Sequence, residues 1–495
     1  MKKNIKLNAL SITIVRILNI VFPLITSPYI SRILNKTSYG TFNVSNVVIN
    51  LFIPFASLGI YKYGIREVSK VKDDREALNK KFSELFYISI FSTLLTTSIY
   101  YLYIFNRIEP DLLTMYSIMG IQIFAQMFYI EWLNEAFENY TFILYKTLLI
   151  RILMLVGIFT LVKTEHDIIA YTLVMSVTTL INYLLSFLRI KKEVKFVKVE
   201  FKDLKKLVKP LLAMLLMSNA NILYTTLDQI FISRIGLPEQ VTYYVIGYNL
   251  ATLLVGILTG AISVSMPRLG YYLGKDDKEA YENLVYAGNK ALSFFMIPMC
   301  IGLAIIGTKA TLIYGGEKYL FAGICTSLFA IRSIGWGTEI ILGTQVIMVN
   351  GYEQRLTLLY FICGALNLIL NLILYLLNIT LPEYYIVTTI ISEGFLIYLE
   401  YRLIKNMRLI NASNIFKTTF KYIIISLGFI PLSYIINKLI PFQNIVNKEL
   451  FLNTTITIMV CGIYYLIILY LVKDDMLKQV MNMVKKLKIT KKMVN

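Results

Sequence analysis

The chain is a succession of apolar segments, each long enough to cross a bilayer. Fourteen are read from the sequence, near 9–31, 41–60, 84–105, 112–133, 142–162, 168–188, 210–233, 242–266, 288–308, 319–343, 356–378, 384–404, 418–437 and 450–472. Each is close to the ~20 residues a helix needs to span the hydrocarbon core. No water is present there to satisfy backbone groups, so segments this long predict helices. Of 495 residues, 57% are hydrophobic and 16% charged, against ~25% charged in an average soluble domain. The expected fold class is an all-α polytopic membrane protein with about 14 transmembrane helices. The opening Met1-Lys2-Lys3-Asn4-Ile5-Lys6 has the charge of a signal-peptide start. The apolar stretch behind it is too long, carries Arg16 and lacks a small-residue cleavage site, so it is expected to remain as the first span.

Formal net charge is +19. In a soluble protein this would suggest nucleic acid. Here the cations lie in loops between apolar spans, so they report topology and no nucleic-acid partner is expected. Segment 189–209 has nine Lys/Arg, and 61–83 and the tail 473–495 have seven each. With fourteen spans all three fall on one side. Loop 379–383 on the other side has no basic residue, and loop 438–449 has only Lys438 and Lys448. The positive-inside rule then puts both termini in the cytoplasm.

Two short stretches recur. Ile30-Ser31-Arg32-Ile33 returns as Ile232-Ser233-Arg234-Ile235, an offset of 202. Lys72-Asp73-Asp74-Arg75-Glu76-Ala77 returns as Lys275-Asp276-Asp277-Lys278-Glu279-Ala280, an offset of 203. Two matches at nearly one offset predict two structural repeats. Each repeat holds six spans, an even number, so both enter from the same side and are related by an axis along the membrane normal. The expected organisation is a six-helix lobe with a cytoplasmic linker (1–209), a second six-helix lobe (210–417), an appended helix pair 13–14 (418–472) and a basic cytoplasmic tail (473–495). The Lys-Asp-Asp stretches are expected to be solvated interfacial helices.

Polar residues inside the spans mark the candidate site. In span 7, Ser218, Asn221, Thr225 and Asp228 are spaced +3, +4, +3 and would share one face of a single helix. The repeat offset maps this stripe onto Arg16, Asn19, Pro23 and Thr26 in span 1. Span 2 adds Asn43, Asn46 and Asn50, span 4 Gln122 and Gln126, span 5 Arg151, and span 10 Arg332, Trp336 and Glu339. Spans 11 and 12 add Asn367, Asn371 and Glu393. Amides and hydroxyls in spans often only bond neighbouring helices. Charged residues cost about 2.5–3.5 kcal/mol at a helix centre and mark pathways or ion pairs; Arg151 is the one best placed to snorkel. The proposed substrate cavity comprises Arg16, Asn19, Thr26, Asn46, Arg151, Ser218, Asn221, Thr225, Asp228, Arg332, Trp336 and Glu339, with Asp228 the candidate for a coupling cation. Cations suit phosphate, and amides, hydroxyls and aromatic faces suit sugars.

Enzyme signatures are missing. There is no phosphate-cradling Gly loop with a Lys and no HExxH. The only histidine, His166, lies in a short polar loop. Cys300, Cys325, Cys363 and Cys461 lie in apolar stretches at no metal or disulfide spacing and read as small core residues. No cofactor, no metal and no enzymatic activity are expected.

Further motifs carry a resemblance. Leu58-Gly59-Ile60-Tyr61-Lys62-Tyr63-Gly64-Ile65-Arg66-Glu67 lies after span 2, and Glu131-Trp132 with Glu138 at the junction of spans 4 and 5. Leu227-Asp228-Gln229-Ile230-Phe231-Ile232 precedes Tyr243-Tyr244, and Pro267-Arg268-Leu269 ends span 8. Gly343-Thr344-Gln345, Asn350-Gly351, the run 365–371 and Ile391-Ser392-Glu393 mark spans 10–12. In this order the chain resembles the polysaccharide-transporter (Wzx-type) flippases of the multidrug, oligosaccharidyl-lipid and polysaccharide exporter superfamily; Asn134-Glu135 departs from the residues often seen there. The resemblance implies alternating access of two six-helix lobes around a cationic cavity lined by spans 1, 2, 7 and 8. It implies undecaprenyl-pyrophosphate-linked oligosaccharide as substrate, moved from the cytoplasmic to the outer leaflet of a bacterial plasma membrane for capsule or another surface polysaccharide. Helices 13 and 14 would form a groove for the lipid tail. The pathway's polymerase and glycosyltransferases are the expected protein partners of a monomer. The competing readings are a multidrug or cation exporter and a peptidoglycan-precursor flippase of the same superfamily, and a membrane glycan polymerase.

Overall fold

A computed structural model describes residues 5–263 and 265–482. Its regular structure is helical, with no strand among the described residues. The chain divides into two compact units, Met1–Thr242 and Tyr243–Asn495.

The first unit is built from α1 (Ile5–Ile33), α2 (Lys36–Ser57), α3 (Ile60–Val71), α4 (Arg75–Arg107), α5 (Pro110–Phe124), α6 (Glu131–Ala136), α7 (Tyr140–Leu161), α8 (Ile168–Ile190), α9 (Phe201–Ser218) and α10 (Thr225–Ile235). The second contains most of α11 (Pro238–Ser263), then α12 (Met266–Gly274), α13 (Lys278–Gly315), α14 (Ala322–Glu339), α15 (Glu353–Leu376), α16 (Pro382–Met407), α17 (Ser413–Leu427), α18 (Phe429–Leu439) and α19 (Lys448–Leu471). The expected spans fall on mainly helical backbone among the described residues. Among the described residues, nine helical stretches are long and apolar enough to cross a membrane. Spans 1, 7, 8, 10 and 12 fall outside that set. In spans 10 and 12 the charges Arg332, Glu339, Glu393 and Glu400 lower the apolarity of the helix.

Span 7 differs from expectation. α9 ends at Ser218, a tight turn covers Ala220–Leu223, and α10 starts at Thr225. The stripe Ser218–Asn221–Thr225–Asp228 is therefore split over two helices and a turn, and its spacing does not define one face. Asn219 helps to end α9, since its side-chain amide donates to the Leu215 carbonyl at 2.8 Å. This is the local competition that makes Asn a poor interior helix residue.

The repeated stretches have a local meaning. Asp74 caps α4 by accepting from the Glu76 and Ala77 amides at 3.0 and 3.1 Å. Asp277 caps α13 by accepting from the Ala280 amide at 3.0 Å. The Lys-Asp-Asp stretch is thus a turn plus an N-cap for the long helices α4 and α13, not an interfacial helix in itself. The helices ahead of it are α3 and α12. Likewise Ile-Ser-Arg-Ile closes α1 and α10 at Ile33 and Ile235.

In the first unit, α9 packs on α3 and α4, and α10 on α2. Trp132, Leu133, Phe82, Leu85 and Leu211 form the buried core at that end. Gly64 makes room for Trp132: a Cβ there would sit 2.6 Å from the indole. In the second unit, α13 packs along α14 and α17. Gly307 and Gly323 let α13 and α14 approach closely, as small residues do between membrane helices. Lys309 of α13 is 3% exposed and donates to Asn437 on α18 at 2.8 Å and Asn453 on α19 at 2.6 Å. Its ammonium ties α18 and α19 to α13. All four cysteines are buried and unpaired, as the apolar context predicts.

Candidate functional site

Each unit places charge among its apolar helices. In the first, Arg151 is at the middle of α7. Its guanidinium turns onto α1, donating to Asn19 Oδ1 at 2.9 Å and lying 4.8 Å from the Phe22 ring centroid. No carboxylate among the described residues is within ion-pairing reach of Arg151. Thr26 is buried one turn on, its hydroxyl bonded to the Phe22 carbonyl of its own helix. Asn46 is half-buried on α2. Thr225 is half-buried and Asp228 fully buried, both in the first turn of α10. The side chains of Arg16, Ser218 and Asn221 lie outside the described ones.

A second charged group, not foreseen as a unit, joins α6, α7 and α8. Lys146 donates to Glu131 Oε2 at 2.8 Å and to Ser186 Oγ at 2.7 Å, and Ser186 donates to the same Glu131 oxygen at 2.5 Å. The Lys146 side chain is 3% exposed and that of Glu131 13%. Next to it, Tyr61 donates to Glu135 at 2.6 Å and stacks on Tyr129. Such a pair, closed by further hydrogen bonds, fixes three helices and leaves no charge unmet.

Elsewhere amides bond across helices, the structural alternative noted above. Gln122 donates to Ser176 at 3.1 Å, Asn43 to Thr242 at 2.9 Å, and Thr388 to Asn371 at 2.6 Å. The first unit also carries an apolar groove of about 890 Å³ between α2, α4 and α9, lined by residues including Phe55, Phe91, Leu95, Phe201 and Lys205.

In the second unit, Arg332 on α14 meets Glu393 on α16 in a two-point fork, Nε to Oε2 at 2.8 Å and Nη2 to Oε1 at 2.5 Å. Trp336, one turn on, is half-buried in the neighbouring core. Glu339 accepts from the Tyr360 hydroxyl of α15. Both Arg332 and Glu339 thus find partners on other helices, as their shared face allows. Sequence reading missed Glu400, a buried acid close to Glu339, because it lies near the end of span 12 where charges are common. It missed Lys309 for a related reason: isolated, it had no partner within its own helix to mark it.

The comparisons place this fold and chemistry among known proteins. A family model described as polysaccharide biosynthesis protein matches residues 5–272. A protein of Shigella dysenteriae described as an O-antigen transporter is 22% identical over 374 residues, covering 74% of this chain and 91% of its own. One of the same description from Escherichia coli (strain K12) is 20% identical over 384 residues, covering 74% and 89%. Among solved structures, the lipid II flippase MurJ in an inward closed conformation has a TM-score of 0.63 at 14% identity, covering 94% of this chain and 99% of that one. An inward-facing MATE family multidrug transporter of the MOP superfamily has a TM-score of 0.57 at 12% identity, covering 82% and 99%. The two structures establish the fold, which this chain shares with them. The family model spans more than half of the sequence, and the chain belongs to the polysaccharide biosynthesis protein family.

Proposed function

We propose that the chain is a flippase that moves polyprenyl-pyrophosphate-linked oligosaccharide from the cytoplasmic to the outer leaflet by alternating access. The observation that carries this reading is Arg151: a guanidinium at the centre of an apolar helix, held by Asn19 and Phe22, with no acid beside it among the described residues. A half-buried cation within an apolar helix and without a carboxylate is suited to receive an anion, and guanidinium geometry suits phosphate oxygens. Kinship with the O-antigen transporters supports a lipid-linked glycan as the cargo.

Within this reading Arg16, Asn19, Thr26, Asn46 and Arg151 serve the pyrophosphate and first sugars. Ser218, Asn221, Thr225, Asp228, Arg332, Trp336 and Glu339 line the path or set its electrostatics. Asp228 remains a candidate for a coupling cation. The repeats are read as two lobes, 1–209 and 210–417, with the pair 418–472 appended and both termini cytoplasmic. The protein works as a transporter without chemical turnover, as a monomer in a bacterial plasma membrane, beside the polymerase and glycosyltransferases of its pathway.

The test is the leaflet location of lipid-linked oligosaccharide in cells lacking the protein. Accumulation on the cytoplasmic leaflet with loss of surface polymer is the expected result. Accumulation on the outer leaflet would point to a polymerase. Impaired efflux of a cationic dye without accumulation would point to a drug exporter.

A further inference from the structure

Three side-chain oxygens from three helices converge on one point in the second unit. A Cβ built on Gly343 would lie 2.6 Å from Glu339 Oε1, 2.8 Å from Glu400 Oε1 and 3.3 Å from the Tyr360 hydroxyl. Glu339 ends α14, Tyr360 is on α15 and Glu400 on α16. Only glycine leaves this space open. Gly343 lies in a π-helical stretch, Ile340–Met348, which continues α14; such widened turns are frequent at functional sites.

Glu400 is 0% exposed, and neither of its carboxyl oxygens has a hydrogen-bond partner among the described residues. Glu339 is half-buried and takes the Tyr360 hydroxyl. Ile341, Leu342, Leu356 and Ile404 belong to the buried apolar core of this unit, and Cys363 is fully buried. Arg332 and Glu393 are joined to each other, and Tyr281 of α13 donates to the Gln345 carbonyl. Cys363 is the other titratable group nearby, on the same face of α15 as Tyr360.

We propose that Glu339 and Glu400 form a proton-binding site, a carboxyl pair holding one proton beside Gly343. Two bare carboxylates this close in an apolar wall would repel each other with no cation to offset them. One shared proton removes that cost and gives the unpartnered Glu400 oxygen something to bond. Glu339, the more exposed of the two, is the side from which the proton enters and to which it returns. A bound metal cation fits less well, because a hard cation needs about six oxygen ligands and three side-chain oxygens converge here. The site's existence does not depend on the cargo. Its use in driving transport rests on the flippase reading.

The test is an infrared titration of the full chain in lipid nanodiscs. A carbonyl-stretch band of a protonated carboxyl in dry surroundings is expected, fading as pH rises, lost in Glu400→Gln and shifted in Glu339→Gln. Gly343→Ala, which occupies the shared space, should also move it. Absence of the band in the wild type, or its persistence in both Gln variants, would overturn the site. Its removal by sodium at fixed pH would overturn it in favour of a sodium ion. Transport in proteoliposomes under a pH gradient then separates the two readings. A wild type that moves the lipid-linked glycan while Glu400→Gln loses only its gradient dependence supports coupling. Equal gradient dependence in both refutes coupling. A wild type that moves no glycan, with the infrared band intact, refutes the flippase reading and leaves the proton site standing.

Discussion

The contact of α1 with α7 in the first unit and the layer α14–α16 in the second handle buried charge in opposite ways. Between α1 and α7 a lone cation, Arg151, rests on an amide and a ring. In α14–α16, Glu393 pairs with Arg332, while Glu339 and Glu400 lie together beside Gly343 and form no salt bridge among the described residues. On the readings proposed above, the first region would offer positive charge to a ligand and the second acceptors for a proton. Between these extremes lies the Glu131–Lys146–Ser186 group, whose charges are balanced and fully bonded. A closed group of this kind fixes geometry. An unbalanced one has affinity left over.

The comparison breaks most readily at the balanced pairs. Arg332→Leu strands Glu393, and Lys146→Met strands Glu131. Removing one member of a buried pair costs about 3–5 kcal/mol, so both variants should show a large fall in the unfolding midpoint of the purified protein. Adding Glu393→Leu to Arg332→Leu should recover most of the loss. If either single variant unfolds like the wild type, its pair is not a structural tie. Arg151→Leu is expected to behave differently. It strands no acid, so abundance and unfolding midpoint should stay near wild type. Loss of charged hydrogen bonds to the cargo, about 1.5–3 kcal/mol, should lower transport by roughly tenfold to a hundredfold. Equal transport at equal abundance would remove Arg151 from the cargo's path.

Much of this architecture was legible in the sequence, and the misses follow physical lines. Span length and composition locate the helices because bilayer thickness is fixed. The motif pieces around Gly64 and Glu131-Trp132 prove to be neighbours, Gly64 lying under the Trp132 ring. Helical spacing cannot reveal a break, and Asn219 broke span 7 by bonding its own backbone. Pairing across helices is equally hidden. Glu131 and Lys146 are separated by a whole helix start, and Glu400 gains its meaning only from Gly343 and Glu339 on another element. Arg332 and Glu339 were found because both sit deep inside one span, where any charge is conspicuous.

The two Lys-Asp-Asp stretches can be compared more finely through their caps. Asp74 and Asp277 occupy matching places and each accepts from helix-start amides. Asp74→Ala and Asp277→Ala should each cost about 1 kcal/mol, seen as faster hydrogen exchange confined to the first turn of α4 or α13. Unequal effects would mean that the two stretches match in sequence without doing the same work.

The smallest effect is expected at Asp203, where α9 is tied to α4 outside the membrane. Its carboxylate pairs with Lys80 at 2.9 Å and Lys206 at 3.0 Å. Hydrogen bonds from Lys80 and then Lys206 lower its pKa from 3.8 to about 2. A depressed acid stabilises the folded state above its unfolded value, and the contribution fades as pH falls from 3.8 through about 2. Exchange at the start of α9 should therefore speed up across that window in the wild type, and Asp203→Asn should flatten the dependence. The pair is exposed, so salt should weaken the effect. A wild-type profile that stays steep in high salt would mean that another acid, not Asp203, holds α9 against α4.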